Sequence, residues 1–246
     1  MHPSRIALAL LLFCPGLVFA KPAAAFHYLP PDAVDLQTIL SGPPAPGSRE
    51  NEADIQAVLM RQRNRTPQEV ARAQSEVDLT PMAFDTIFGS NFNAAAFPLT
   101  FALLGNATAD AHAIAASAKQ FWQRARPPLQ DKGIHPVVPI PGNPSYPSFH
   151  AVQGALWAAI LARLAPAWKE RILARGDQIG TDRVIAGVHF PTDVAAGQQL
   201  GRVLAQRFAR DPAFDADLYN AAQKEFARFR RRSVAIFPGA PFALAW

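Results

Sequence analysis

Proline marks where helical spacing begins or stops along this 246-residue chain, and its 23 prolines leave few folds open. Thr66-Pro67-Gln68-Glu69 combines a hydroxyl at the N-cap, proline at the first helical position and glutamate at the third, which opens a helix through about Val77. Phe84, Ile87 and Phe88 fit one short helical face, and Ala95–Leu104 is an apolar segment interrupted by Pro98. The pattern is helical again from Ala109 to Ala125. It closes at Arg126-Pro127-Pro128, because a proline drives the residue before it out of the α region. Residues 128–146 have neither helical nor strand periodicity, and a loop of that length inside a compact domain usually serves function. Beyond it, Val152, Leu156, Ile160 and Leu164 mark one helix, Trp168–Ile185 a second, Val194–Arg207 a third and Ala213–Phe229 a fourth. No hairpin pattern or internal repeat occurs. The expectation is an all-α fold, a compact helical bundle.

The two ends read differently from this body. Residues 1–20 carry Arg5, an apolar run from Ile6 to Leu12, a Pro-Gly break and Val18-Phe19-Ala20, the pattern of a cleavable secretory signal that would deliver the chain to the periplasm. The apolar run is too short to span a bilayer, every later apolar stretch falls well short of the roughly 18–20 residues a span needs, and no membrane span is expected. Cys14, the single cysteine, would leave with this leader, so the fold must rest on core burial, for which a chain 50% hydrophobic has ample material. Residues 21–48 are proline-rich and read as an extended N-terminal arm with one turn of helix within Asp32–Leu40; residues 49–246 read as a single helical domain. The apolar end from Phe237 to Trp246 would cover either its own core or a partner in a homo-oligomer. A net charge of +5 favours an anionic ligand but does not require nucleic acid, because the Arg228/Arg230/Arg231/Arg232 cluster reads as a solvated helix end.

Three segments carry the chemistry: Lys119 with Arg126-Pro127, then Pro147-Ser148-Phe149-His150, then Arg183 with His189 and Asp193. Lys119 and Arg126, seven apart, would share one helical face and converge on an anion beyond the helix end. Ser148 and His150 stand where a helix begins, so unpaired N–H groups and the positive end of the dipole make an anion seat with a hydroxyl attached. Pro191 opens a helix that would bring Asp193 back to His189. A carboxylate holding one ring nitrogen leaves the other with its lone pair exposed. Taken singly, each piece also has a plain structural reading: a solvated face, an N-cap, a buried His–Asp pair or half a metal site. A metal centre is disfavoured by the six histidines, none in a His-x-x-x-His pair.

The order Lys-x6-Arg-Pro, Pro-Ser-x-His, Arg-x5-His-x3-Asp resembles the signature of the type 2 phosphatidic acid phosphatase superfamily, and within it the secreted bacterial class A nonspecific acid phosphatases. Tyr28-Leu-Pro-Pro, Gly142-Asn-Pro-Ser-Tyr-Pro and Asp211-Pro-Ala-Phe extend the likeness over most of the chain. The resemblance implies an all-α, metal-independent acid phosphatase with no cofactor, acting on small phosphomonoesters and releasing inorganic phosphate. It implies His189 as nucleophile, Asp193 as its orienting carboxylate and His150 as acid and base. Lys119, Arg126, Ser148, the Phe149 N–H and Arg183 would hold the phosphoryl oxygens. Two positions depart from the family pattern: Phe149 where the family has glycine, its ring expected to wall the pocket, and Asp182 where it has serine, expected either to pair with Arg183 or to face solvent. Other functions compatible with the same residues are a vanadium-dependent haloperoxidase and a degenerate phosphate-binding protein.

Overall fold

The computed structural model describes residues 26–227, and within them the chain is helical with no strand. The leader, Cys14, the Arg228/Arg230/Arg231/Arg232 cluster and the apolar end lie outside the described residues. Seven longer helices follow in order: α1 (Arg49–Asn64), α2 (Pro67–Ser75), α3 (Pro98–Trp122), α4 (Phe149–Leu164), α5 (Lys169–Ile185), α6 (Pro191–Phe208) and α7 (Pro212–Ala221). The all-α bundle expected from the sequence is the fold found.

Helix α4 is the axis of the bundle. Of its 16 residues 12 are buried, which is the property of a helix apolar on every side. It packs most extensively against α5 and α6. Close approach requires glycine: a Cβ on Gly154 would stand 2.6 Å from the Gly176 carbonyl oxygen, and one on Gly197 would overlap the carbonyl oxygen of Ser148. Gly197 therefore sets the start of α4, with Ser148, directly against α6, with Asp193. Residues 26–48 lie on the same core, to which Tyr28, Val34 and Leu40 contribute. Asp110 of α3 binds that segment by accepting from the backbone N–H groups of His27, Tyr28 and Leu29 at 3.1, 2.8 and 3.0 Å.

Local signals account for most boundaries. Thr66 and Glu69 form the capping box expected before α2, which ends at Ser75, slightly short of the expected limit. Ser48 caps α1 by accepting from Asn51 N–H at 3.1 Å, and Glu50, Glu52, Arg61 and Arg63 oppose the helix dipole at its two ends. This helix carries no strong apolar stripe, because polar Asn51 and Asp54 share its buried face with Ile55 and Val58. Pro98 does not interrupt an apolar segment but opens α3, where a missing N–H is harmless, so the two segments either side of Gly105 are one helix of 25 residues. That helix stops at Trp122, earlier than Ala125, because Gln123 turns left-handed with φ 49°.

No side chain near Pro98 caps α3; the cap comes from the far end of the chain. After α7 the backbone winds through a π-helical turn, Ala222–Phe226. From it the buried Glu225 carboxylate accepts from Leu99 N–H at 2.6 Å, Thr100 N–H at 2.9 Å and Thr100 Oγ1 at 2.6 Å. Replacing Glu225 by alanine strands buried donors, so Glu225→Ala is expected to lower stability by ~2–3 kcal/mol. Urea unfolding followed by circular dichroism reads the loss. A loss below ~0.5 kcal/mol would show that water replaces the cap.

Candidate active site

The first turn of α6 builds the centre of the site. Asp193 at its third position turns its carboxylate back, and Oδ2 accepts from Phe190 N–H at 2.9 Å, half of a capping box. The same oxygen receives the Ser145 hydroxyl at 2.5 Å and lies 3.3 Å from His189 Nδ1. A carboxylate only accepts, so Nδ1 carries the proton and Nε2 keeps its lone pair. Nε2 faces Arg126 Nη1 at 3.0 Å. Burial alone would raise the Asp193 pKa, but the His189 hydrogen bond, the Arg124 charge and the Ser145 hydroxyl outweigh it and hold the group at about 2. Burial, with repulsion from Arg126 and Lys119, drives the His189 imidazole well below its ordinary pKa despite the pull of Asp193. His189 thus holds a proton less readily than an ordinary imidazole.

Arg124 organises this centre and did not stand out in the sequence. Its Nη1 donates to Asp193 Oδ1 at 2.6 Å and to Thr192 Oγ1 at 2.7 Å. Its Nη2 reaches α1, to Asp54 Oδ2 at 2.7 Å and Asn51 Oδ1 at 3.1 Å. Asp54 in turn accepts from the Thr192 N–H and hydroxyl, and the guanidinium lies 4.1 Å from the Phe190 ring centroid. The only advance sign of this partnership is Asn51 and Asp54 standing three apart, on one helical face.

Lys119 and Arg126 do not share a helical face, because α3 ends between them at the left-handed Gln123. They meet the site from opposite sides of a bend. Lys119 Nζ donates to the carbonyls of Pro144 and Ser145 at 2.6 and 3.3 Å; burial first, then the Arg126 charge, lowers its pKa to about 7. Arg126, lowered to about 10 chiefly by burial, donates to Asn143 through Nε (2.9 Å) and Nη2 (2.6 Å) and to the Val188 carbonyl through Nη1 (2.8 Å). The long loop thus serves the site through Asn143, Pro144 and Ser145.

Ser148 precedes α4 but makes no side-chain cap. Its backbone N–H is held by the Asp193 carbonyl at 2.9 Å, while its buried Oγ has no protein hydrogen-bond partner. Arg183, in the last turn of α5, is also buried, with Nε and Nη1 unpartnered in the protein. Its charge bears on His150 and Arg126, lowering the pKa of both and so tying the two halves of the site. His150 is pushed down to about 4, first by burial and then by Arg183, and its Nε2 meets the Glu76 carbonyl at 2.9 Å. All eight residues singled out from the sequence therefore gather around the ends of α3, α4, α5 and α6.

The two departures have definite structural answers. Asp182 neither pairs with Arg183 nor faces solvent: it is wholly buried, and Arg72 forks it through Nε at 2.7 Å and Nη2 at 2.8 Å. Phe149 begins α4 without positive φ, so its N–H points with the helix axis. Its ring sits edge-on to His112 at 4.8 Å, two turns before Lys119 on α3, and packs against the main core. Among the described residues no group of three or more His, Cys, Asp and Glu is placed to hold a metal ion, and no helix is long and apolar enough to cross a membrane.

The family model of the PAP2 superfamily matches residues 96–214, which hold every site residue named above from Lys119 to Asp193. A non-specific acid phosphatase of Salmonella typhimurium is 30% identical over 229 residues, 85% of this chain and 88% of the relative. One of Providencia stuartii is 29% identical over 81% of this chain and 84% of its own length. Among solved structures, a bacterial vanadium-dependent iodoperoxidase aligns with a TM-score of 0.54 at 18% identity, over 69% of this chain and 51% of that one, a likeness of fold alone. With that helical core, that order of cations, histidines and carboxylate, and those relatives along most of its length, the chain belongs to the PAP2 superfamily.

Proposed function

We propose that this protein is a secreted acid phosphatase that hydrolyses small phosphomonoesters without a metal, through a phosphohistidine formed on His189. The observation that carries the reading is a set of buried donors with no protein partner, Ser148 Oγ and Arg183 Nε and Nη1, in a site where the His189 Nε2 lone pair meets only the Arg126 guanidinium. Buried donors without partners are costly, and a phosphate dianion is a ligand that satisfies them. The names of the relatives support phosphatase activity.

In this reading Lys119, Arg126, Arg183, the Ser148 hydroxyl and the Phe149 N–H hold the equatorial oxygens, where charge spreads in the transition state. His189 Nε2 forms a bond to phosphorus as the ester P–O bond breaks, and His150 gives its proton to the departing oxygen. Asp193 keeps the Nδ1–H in place and stabilises the charge on the ring. His150, now neutral, takes a proton from water as that water attacks phosphorus. The P–N bond electrons return to His189, and inorganic phosphate leaves.

The primary test is hydrolysis of p-nitrophenyl phosphate from acid to neutral pH, with chelator and with vanadate. Chelator-resistant, vanadate-inhibited turnover is expected. Halide oxidation by peroxide on adding vanadate would instead place the chain with the peroxidases, and anion binding without turnover of any ester would make it a binding protein. His189→Ala is expected to abolish turnover with the fold intact; retained turnover removes His189 as nucleophile. His150→Ala is expected to lower kcat/KM for alkyl phosphates by ~100-fold or more and for aryl phosphates far less, since an aryl oxide departs without a proton, while kcat falls for both because water loses its base.

Anion binding is expected to take up protons. A bound dianion raises the pKa of the cations around it, and Lys119 at about 7 is largely neutral at pH 8 in the free site. Sulfate, itself a dianion throughout this range, should therefore bind at pH 8 with uptake of about one proton. Calorimetry in buffers of different ionisation enthalpy measures it. Lys119→Met should bind more weakly and without uptake; unchanged uptake in that variant would assign it elsewhere.

A further inference from the structure

The C-terminal end of α2 and the facing side of α5 carry two crossed ion pairs that the proposed chemistry does not use. Arg72 and Glu76 stand one turn apart at the end of α2, and Arg175 and Asp182 stand two turns apart on α5. Arg72 forks Asp182 at 2.7 and 2.8 Å. Arg175 Nη2 donates to Glu76 Oε1, and its Nε donates to the Ala83 carbonyl at 2.8 Å. Asp182 and Glu76 are both buried, so each pair acts at low dielectric and in fixed geometry.

Glu76 is the C-cap of α2, with a carbonyl that no helical N–H satisfies. That carbonyl lies 2.9 Å from His150 Nε2. A carbonyl oxygen only accepts, so Nε2 carries a hydrogen in every protonation state of the bound ring. The titrating atom of His150 is then Nδ1, and its direction follows from the ring's hold on the backbone at the end of α2, the Glu76 carbonyl with Val77 beside it. The carbonyl is in turn held by its own side chain on Arg175 and by Arg72, one turn earlier, on Asp182, the neighbour of Arg183.

We propose that the Arg72–Asp182 and Glu76–Arg175 pairs form a positioning device for His150, which locks its tautomer and aims Nδ1 at the leaving oxygen, so that Arg72, Glu76, Arg175 and Asp182 are positioning residues for proton transfer. When the P–O bond breaks, the proton passes from Nδ1 to the departing oxygen while Nε2–H stays on the Glu76 carbonyl. The device explains Asp182: it gives Arg72 a buried partner and fixes α2 to the turn of α5 that presents Arg183. It rests on the acid role proposed for His150.

The geometry supplies a specific test. Arg72, Glu76, Arg175 and Gln178 line a cavity of ≈ 560 Å³, roomy enough for a free guanidinium ion. Asp182→Ser and Arg175→Ala are measured on β-glycerol phosphate and on p-nitrophenyl phosphate, with sulfate affinity as a check on the fold and the anion site. In both variants kcat/KM for the alkyl ester, which reports the steps up to departure of the leaving group, is expected to fall about ten-fold or more, with kcat/KM for the aryl ester and sulfate affinity held within about three-fold. Added guanidinium chloride at millimolar concentration should restore the alkyl rate of Arg175→Ala and leave the wild type unchanged. Equal losses on both esters, no loss on either, or an alkyl-selective loss in Arg175→Ala that guanidinium does not relieve overturns the positioning role. If His150→Ala shows no leaving-group selectivity, the acid role fails and takes the device with it; selectivity there with none in Asp182→Ser and Arg175→Ala overturns the device alone.

Discussion

The buried carboxylate of Asp193 is the contact on which the rest of the site depends. It is fully enclosed and accepts from Arg124, Ser145 and the Phe190 N–H while facing His189 Nδ1. A buried ion missing one partner typically costs ~3–5 kcal/mol, so the groups that surround Asp193 are held where they are by the penalty of leaving it. The donors come from three segments: Arg124 from the bend after α3, Ser145 from the long loop, Phe190 and His189 from the entry of α6. Arg124 carries the constraint on to Asp54 and Asn51, and so brings α1 against the start of α6, where Ile55, Val58, Phe190 and Val194 complete a small apolar cluster. The Ser148 N–H, on the Asp193 backbone carbonyl, adds α4 to the same knot.

Around this satisfied knot lies a rim of buried cations. Lys119, Arg126 and Arg183 are buried, and burial lowers the pKa of all three. Such an arrangement opposes folding and favours an anion, the usual relation between a binding site and the stability of its scaffold. The scaffold offsets it by close packing: α4 runs through the centre, with glycines where backbone meets backbone at Gly154–Gly176 and Gly197–Ser148.

What could be read in advance follows the range over which each interaction acts. Lys119, Arg126, Ser148, His150, Arg183, His189 and Asp193 stand at helix ends marked by proline or by short spacing, so local chemistry announces them. Arg124, Ser145, Asn143, Glu76 and Arg72 act through partners far along the chain, Arg124 with Asp54 across 70 positions and Arg72 with Asp182 across 110, and nothing local records such a pairing. The shared face assigned to Lys119 and Arg126 failed for a local reason that propensity hides, a left-handed Gln123 in a place where helical periodicity continues. Pro98 was ambiguous because proline both breaks and begins helices, and here Glu225, from the other end of the fold, decides in favour of a beginning. Asp182 shows the limit most plainly: beside Arg183 in sequence, it points to α2.

The pKa shifts bear on why acid conditions suit the proposed chemistry. A nucleophilic histidine with an ordinary pKa would be protonated, and so inert, in acid. Burial among cations makes His189 harder to protonate, while Asp193, ionised down to about pH 2, keeps the lone pair on Nε2. The same environment pushes His150 down to about 4, against the needs of a proton donor. The conflict resolves when the ester arrives, because a dianion among Lys119, Arg126 and Arg183 cancels the charge that depresses His150 and favours its protonated form. On this argument the proton that His150 passes to the leaving oxygen enters with the substrate, so the alkaline limb of activity follows the charge of the bound ester more closely than any group of the free protein.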